Sequence, residues 1–476
     1  MPPITKPTLL HALRTTWSAL NPRPTDALRL LLALAILWSV RAPRVLVVPD
    51  PPQEVTTTNP LVGVHTRLTD EVERWKIQRT LRMVRKMGAP WIVEYFPWPY
   101  IEPEEGHVDW HHTDTVIEHA ENQGLSVIAR LGWVPRWARP EGADDRASDD
   151  AAETTLTYLD PDHYDDFADH VAAFAERYRG RVDHVIIWNE PNLSFEWGYR
   201  PVDPEAYVDL LREVYPRAHA ANPDVVVLAG ALAPTLEPEG SAAGMNDLVY
   251  LERIYQAGAS PYFDALAVHA YGHTSPPGAP PAADAINFRR TELLRDIMEA
   301  HKDDGKPIYV TEAGWNDHPR WTGAVSPAER IDYTIEAYEW AREHWPWCRA
   351  VAMWAFRYPA PTYSYHDNYA FVTPDFDPHV IYLEVQEYAH ATPCEGSIRP
   401  PVPPAPSPPT AATANPPTAN LRKAVVTSPP SPRPRHSSIR AIPNSRFLGP
   451  SPFRSFALSL HRLVALSLYR YPCPSP

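Results

Sequence analysis

Val185-Ile186-Ile187-Trp188-Asn189-Glu190-Pro191-Asn192 runs through four apolar residues and then turns polar, with a proline directly behind the glutamate. An uninterrupted apolar run of this length, without polar alternation, reads as a strand buried on both faces. Such a strand delivers Glu190 at its C-terminal end. Pro307-Ile308-Tyr309-Val310-Thr311-Glu312-Ala313-Gly314-Trp315 repeats the arrangement and delivers Glu312 in the same way.

Working outward from these two stretches, short and nearly continuous apolar runs recur along the chain. Candidate strands are Val62–His65, Trp91–Phe96, Ser126–Leu131, His184–Trp188, Val225–Ala229, Ala265–Ala270, Ile308–Thr311 and Ala350–Trp354. Helical patterns lie between them. Phe167, Val171, Phe174 and Tyr178 recur at helical spacing across His163–Tyr178. Ser326-Pro327-Ala328-Glu329 has the form of a capping box with proline at the first helical position, opening a helix that would bury Ile331, Ile335 and Tyr338. Eight strands alternating with helices predict an α/β fold, a closed (β/α)₈ TIM barrel with enlarged loops. The competing doubly wound open sheet wants a Gly-rich phosphate turn after an early strand, and none is visible.

Composition divides the chain into three segments. Residues 1–49 carry a charge of +5 and residues 394–476 a charge of +9, which leaves −28 on the middle of a chain whose total is −14. Residues 1–49 are basic and then apolar from Leu30 to Val40, a run that suits a signal peptide or signal anchor. That implies an extracellular or cell-surface location, with membrane anchoring through the N-terminal segment as the alternative to cleavage. Residues 50–393 form the expected catalytic barrel. Residues 394–476 form a basic tail rich in proline, which cannot bury enough apolar surface to order itself. A middle segment this acidic argues against nucleic acid as a partner and fits a neutral ligand.

No cofactor is expected, and no metal. Cys348, Cys394 and Cys473 have no zinc-type spacing, and the adjacent His111 and His112 would point to different faces of a helix. In an exported barrel, Cys348 before strand eight and Cys394 after the last helix would both lie at the bottom face, within reach of a disulfide.

In a barrel of this type catalytic groups come from the C-terminal ends of strands. Two carboxyl groups delivered there, from strands four and seven, have the layout that cleaves glycosidic bonds, one of them protonating the leaving oxygen. Trp-Asn-Glu-Pro-Asn at 188–192, together with Thr-Glu-Ala-Gly-Trp at 311–315, resembles clan A of the glycoside hydrolases, and within it families 39 and 5. The likeness runs from about Leu61 to Ala389 and takes in Glu105–Trp110 and Val134–Ala138.

That resemblance implies a retaining hydrolase acting on a poly- or oligosaccharide, with Glu190 as acid/base and Glu312 as nucleophile. It implies that Asn189 binds the sugar 2-hydroxyl, that His269 and Tyr271 form a site pair with Tyr271 orienting Glu312, and that Trp354 floors the central subsite. Clan members often carry an arginine near the end of strand two, where this chain has Glu94. Arg67 or Arg130 would then substitute, and Glu94 would be free to bind a sugar hydroxyl. Trp98 and Trp315 are expected as substrate platforms, with Trp133, Trp137 and Trp197 as further candidates, since an indole face stacks on the apolar face of a sugar. A non-catalytic carbohydrate-binding barrel and a transglycosylase are the alternatives.

Overall fold

The computed structural model describes residues 24–39, 47–140 and 156–391. Eight parallel strands close into a barrel in chain order. They are β1 (Val62–His65), β2 (Trp91–Pro97), β3 (Ser126–Gly132), β4 (His184–Ile187), β5 (Val226–Leu232), β6 (Ala265–Tyr271), β7 (Ile308–Gly314) and β8 (Cys348–Met353). β8 pairs with β1, so no sheet edge is left open. Each strand falls where an apolar run predicts it. The ends differ most at β5 and β7, which run three residues further than expected.

Side chains alternate along each strand between the barrel interior and the surrounding helices. Trp91 and Val93 of β2, Ile128 of β3, Ala265 and Ala267 of β6 and Ala350 and Ala352 of β8 pack together inside the barrel. Their neighbours Ile92, Val127, Ala129, Leu266, Val268 and Val351 face outward and join the helix layer in the main core. Continuing that two-residue period towards the C-terminal ends brings Tyr95, Arg130, His269, Tyr271 and Trp354 inward above the apolar layer. His65 follows the inward-facing Gly63 on β1 in the same way, a Cβ at Gly63 meeting that of Trp91 at 3.1 Å.

β7 breaks this rhythm. Val310 pairs with Val268 of β6, but the next pair is Glu312 with His269, so Thr311 is an extra residue on β7. The pairing with β8 shows the same slip, Val310 opposite Val351 and then Ala313 opposite Met353. A bulge reverses the phase of the residues beyond it. It turns Glu312 into the barrel, where strict alternation from Tyr309 would have pointed it out. A second slip lies in β5 between Ala229 and Leu232.

The predicted helix over 163–178 is observed as Tyr164–Arg177, burying Phe167, Val171 and Phe174. The capping box at Ser326 is present on the helix Pro327–His344, Ser326 N donating to Glu329 Oε2 and Glu329 N to Ser326 Oγ. Its inward face is Thr334, Ala337, Tyr338 and Ala341, however, and Ile331 and Ile335 are only half-buried at its side.

Within the predicted signal segment the chain forms a helix over Pro24–Ser39, with Leu28, Leu30 and Leu31 exposed. Among the described residues no helix is long and apolar enough to cross a membrane, so the anchoring expectation finds no spanning helix to rest on. The proline-rich tail at 394–476 and Cys394 lie outside the described residues. Cys348 is buried, and burial pushes its thiol up to about 12.

Candidate active site

An open cavity of about 560 Å³ lies over the C-terminal ends of the strands. That volume falls within the range of small-ligand sites. Both predicted glutamates line it, as do Asn189, Tyr271 and Trp354.

Glu190 reaches the cavity from a turn that ordinary residues avoid. Trp188 and Glu190 both have positive φ, 79° and 41°, in a region costly for side chains with a Cβ. The turn is held by its neighbours on both sides. Trp188 N donates to Leu131 O and Glu190 N to Ala231 O, each over 2.9 Å. The Trp188 indole is buried and donates to Glu196 O. Asn192 is fully buried and binds the β5 loop three times, through Ala233 O, Ala233 N and Met245 O. Of the five residues Trp188–Asn192, Trp188 and Asn192 therefore anchor the turn, while Asn189 and Glu190 face the cavity.

Glu312 is surrounded by donors. Arg130 Nη1 donates to its Oε1 and the Tyr271 hydroxyl to its Oε2, each over 2.7 Å. Burial by itself would push this carboxyl up. The facing His269 and Arg130, with the Tyr271 hydroxyl, more than offset that and hold it well below the usual carboxylate range. Of these, Arg130 is charged at every accessible pH. Tyr271 is pushed well above its ordinary value, by burial first and by the Glu312 charge next, so it remains a donor.

Arg130 organises the floor of the cavity. Besides Glu312 it donates to Asn189 Oδ1 and, through Nη2, to His65 Nε2. His65 Nδ1 sits 2.7 Å from Thr66 O, so the ring donates there and accepts from the guanidinium. Burial first and the charge of Arg130 next keep this imidazole neutral. The His65 ring also lies against Trp354, with centroids 4.5 Å apart. His65 carries no motif and was not singled out in the sequence. Its phase with Gly63 was the available signal.

His269 stands between the two carboxyls. Its Nδ1 is 2.7 Å from Glu190 Oε1 and 3.7 Å from Glu312 Oε2. These two oxygens can therefore be no farther apart than the two distances added, 6.4 Å.

Several expectations are corrected by position. Glu94 does not face the cavity. It is buried behind β2, where it accepts from Leu68 N, Thr69 N and the hydroxyls of Thr66 and Thr69, pinning the loop after β1. Alternation explains this, because Val93 and Tyr95 take the inward positions on either side of it. Of the two arginines expected to replace the missing one, Arg130 does so, whereas Arg67 pairs with Asp70 at the rim and lies 5.6 Å from the Trp354 ring centre.

Trp98 and Trp315 are not platforms. Trp98 is fully buried against Trp137, Phe167 and His170, and Trp315 is packed beside Phe288 and Tyr333 with its indole N–H on Ser275 O. Trp197 is buried and Trp137 half-buried, both outside the cavity lining. Trp133 does line the cavity, edge-on to Tyr95. So does Trp321, stacked on Tyr365 with centroids 5.1 Å apart. Trp321 and Tyr365 sit on long loops whose sequence has no period to read, and were missed.

Residues 69–222 match the family model described as Beta-galactosidase of glycoside hydrolase family 42, a span that includes Glu190 and ends before Glu312. No curated protein matches the chain. A family 39 glycoside hydrolase from the gut symbiont Bacteroides cellulosilyticus WH2 superposes with a TM-score of 0.56 at 22% identity, covering 71% of this chain and 65% of that one. This chain thus spans less than two thirds of that enzyme's length. The family 39 enzyme from Xanthomonas axonopodis pv. citri superposes with a TM-score of 0.50 at 15% identity, over 72% of this chain and 71% of that one. The barrel of this chain, in its fold and in the matched stretch of its sequence, resembles the clan A glycoside hydrolases.

Proposed function

We propose that the protein is a retaining O-glycoside hydrolase in which Glu312 attacks the anomeric carbon and Glu190 serves as acid and then base. The observation that carries this reading is the His269 bridge, which holds one oxygen of each carboxyl, Glu190 Oε1 and Glu312 Oε2, within 6.4 Å. Retaining enzymes hold their two carboxyls about 5–5.5 Å apart, whereas inverting enzymes leave room for a water at about 6.5–9.5 Å.

The division of roles follows from the donors. Arg130 and Tyr271 keep Glu312 ionised and aimed, as a nucleophile requires, and an ionised group cannot supply the leaving oxygen with its proton. Glu190, which shares His269 with Glu312, is then the carboxyl left to hold that proton. In this reading Asn189, held by Arg130, binds the 2-hydroxyl, and the cavity-lining Trp354 and Trp133 stack on the sugar rings.

The match to a Beta-galactosidase model supports β-glycosides as the substrate class. Incubation with 4-nitrophenyl β-glycosides, followed by NMR of the first sugar anomer released, tests the reading. Release of the β-anomer is expected, and first-formed α-anomer would exclude the double displacement.

A further inference from the structure

Glu196 is a third glutamate lining the cavity, and the chemistry above gives it no part. It lies in the 3₁₀ turn Phe195–Trp197, where its backbone carbonyl accepts from Trp188 Nε1 over 2.6 Å. Its side chain lies beside that of Asn189. Asn189 Oδ1 is already taken by Arg130, so the amide NH₂ is the group that faces Glu196. The other ionisable groups around it are Glu190 after β4, Arg130 on β3, Tyr95 on β2 and Glu312 on β7. Among the described residues Glu196 forms no ion pair, and the nearby guanidinium is committed to Glu312.

Three carboxyls sharing one guanidinium in a recessed cavity are not all ionised at neutral pH. Withdrawal from water, and next the Glu190 charge, push Glu196 up to about 8. A protonated carboxyl presents one O–H donor beside a carbonyl acceptor. A sugar hydroxyl needs that same pair of partners.

We propose that Glu196 is a substrate-binding residue that, together with Asn189, holds the hydroxyl next to the anomeric carbon, an assignment that rests on the hydrolase reading. The Asn189 amide and the Glu196 carboxyl lie side by side at the cavity wall. A sugar hydroxyl entering between them accepts from Asn189 and from the protonated Glu196 O–H and donates to the Glu196 carbonyl, so neither group is left unpaired. The site therefore selects glycosides with a free 2-hydroxyl. Above pH 8, ionised Glu196 stops donating and places a second negative charge beside Glu190.

The test compares kcat/KM of the wild type, Glu196→Ala and Glu196→Gln on the preferred 4-nitrophenyl β-glycoside and on its 2-deoxy counterpart. Glu196→Ala should lower the value for the parent glycoside about tenfold or more and that for the 2-deoxy compound by less than about threefold, because only the parent loses a hydrogen bond. Glu196→Gln, which keeps a donor and an acceptor but does not titrate, should restore most of the loss and remove the decline in activity above pH 8. If Glu196→Ala does not fold, the Gln variant still reads the pH profile. Equal losses on both substrates, or an unchanged alkaline decline in the Gln variant, would overturn the assignment while leaving the hydrolase reading in place. A wild type that cleaves no glycoside removes both.

Discussion

Arg130 of β3 reaches across the barrel to Glu312 of β7 and donates to its Oε1 over 2.7 Å, with both side chains nearly closed to solvent. A buried ion pair of this kind is weak evidence of stability, because desolvation consumes most of the attraction. Its effect on the protonation of Glu312 is direct. Removing Arg130 leaves the burial cost unopposed by any fixed positive charge.

Arg130→Met should therefore raise the pKa of Glu312 towards or above the ordinary carboxylate value. Activity that depends on ionised Glu312 is lost as pH falls through that pKa, so the acid limb of kcat/KM moves to higher pH. A loss of about 100-fold in kcat at neutral pH is expected from the missing electrostatic support. A pH–rate profile of the variant checks both, and an acid limb that stays in place would show that Arg130 does not set the charge of Glu312.

Tyr271→Phe removes the one neutral donor to Glu312 and leaves Arg130 in place. A hydrogen bond to a charged acceptor is worth about 10- to 100-fold. That loss should fall on kcat, with KM little changed, since the phenol acts on the nucleophile. Steady-state kinetics on an aryl glycoside separate the two parameters.

The proposed roles of the two glutamates predict different outcomes of azide rescue. In Glu190→Ala, azide attacks the glycosyl intermediate without needing a general base and should give the retained β-azide. In Glu312→Ala it occupies the vacated face and should give the inverted α-azide. NMR of the products distinguishes the cases, and the same anomer from both variants would refute the assignment.

Glu94→Ala should destabilise the protein without selectively weakening substrate binding. It strands the backbone N–H groups of Leu68 and Thr69 in a buried loop, while the Thr66 and Thr69 hydroxyls keep Val93 O and Tyr95 O, at a cost of about 2–4 kcal/mol. Urea denaturation measures the loss. A residue that binds sugar would instead raise KM at unchanged stability.

Gly272→Ala tests the wall behind the cavity. A Cβ there would come within 2.1 Å of the Trp315 indole, a position no real contact tolerates. Displacing that indole from Ser275 O should cost about 1–3 kcal/mol, visible as a lowered melting temperature.

The eight strands were legible because a strand buried on both faces leaves an unbroken apolar run, as at Val185–Ile187. Both glutamates were legible because the strand stops being apolar where the cavity begins. Direction was harder to read. Glu94 looked like a cavity residue until alternation from Val93 placed it behind the strand. Glu312 is the reverse case, since simple counting from Tyr309 would point it outward and only the extra residue Thr311 restores it. Bulges leave no compositional trace. Trp98 and Trp315 were misplaced because an indole on a loop packs inward or outward according to tertiary neighbours that one sequence does not display. Glu196 went unnoticed because it belongs to no strand and no motif, and gains its meaning from Asn189 alone.

Inside the barrel, Trp91, Val93, Ile128, Ile186, Leu228 and Tyr309 close the axis below Arg130 and Glu312. Among the described residues the cavity therefore opens away from that apolar layer, with Arg67, Asp70 and Trp321 in its lining. In the proposed double displacement the departing aglycone and the incoming water would share that opening. The order of traffic through it would then decide whether an intermediate on Glu312 meets water or a second sugar.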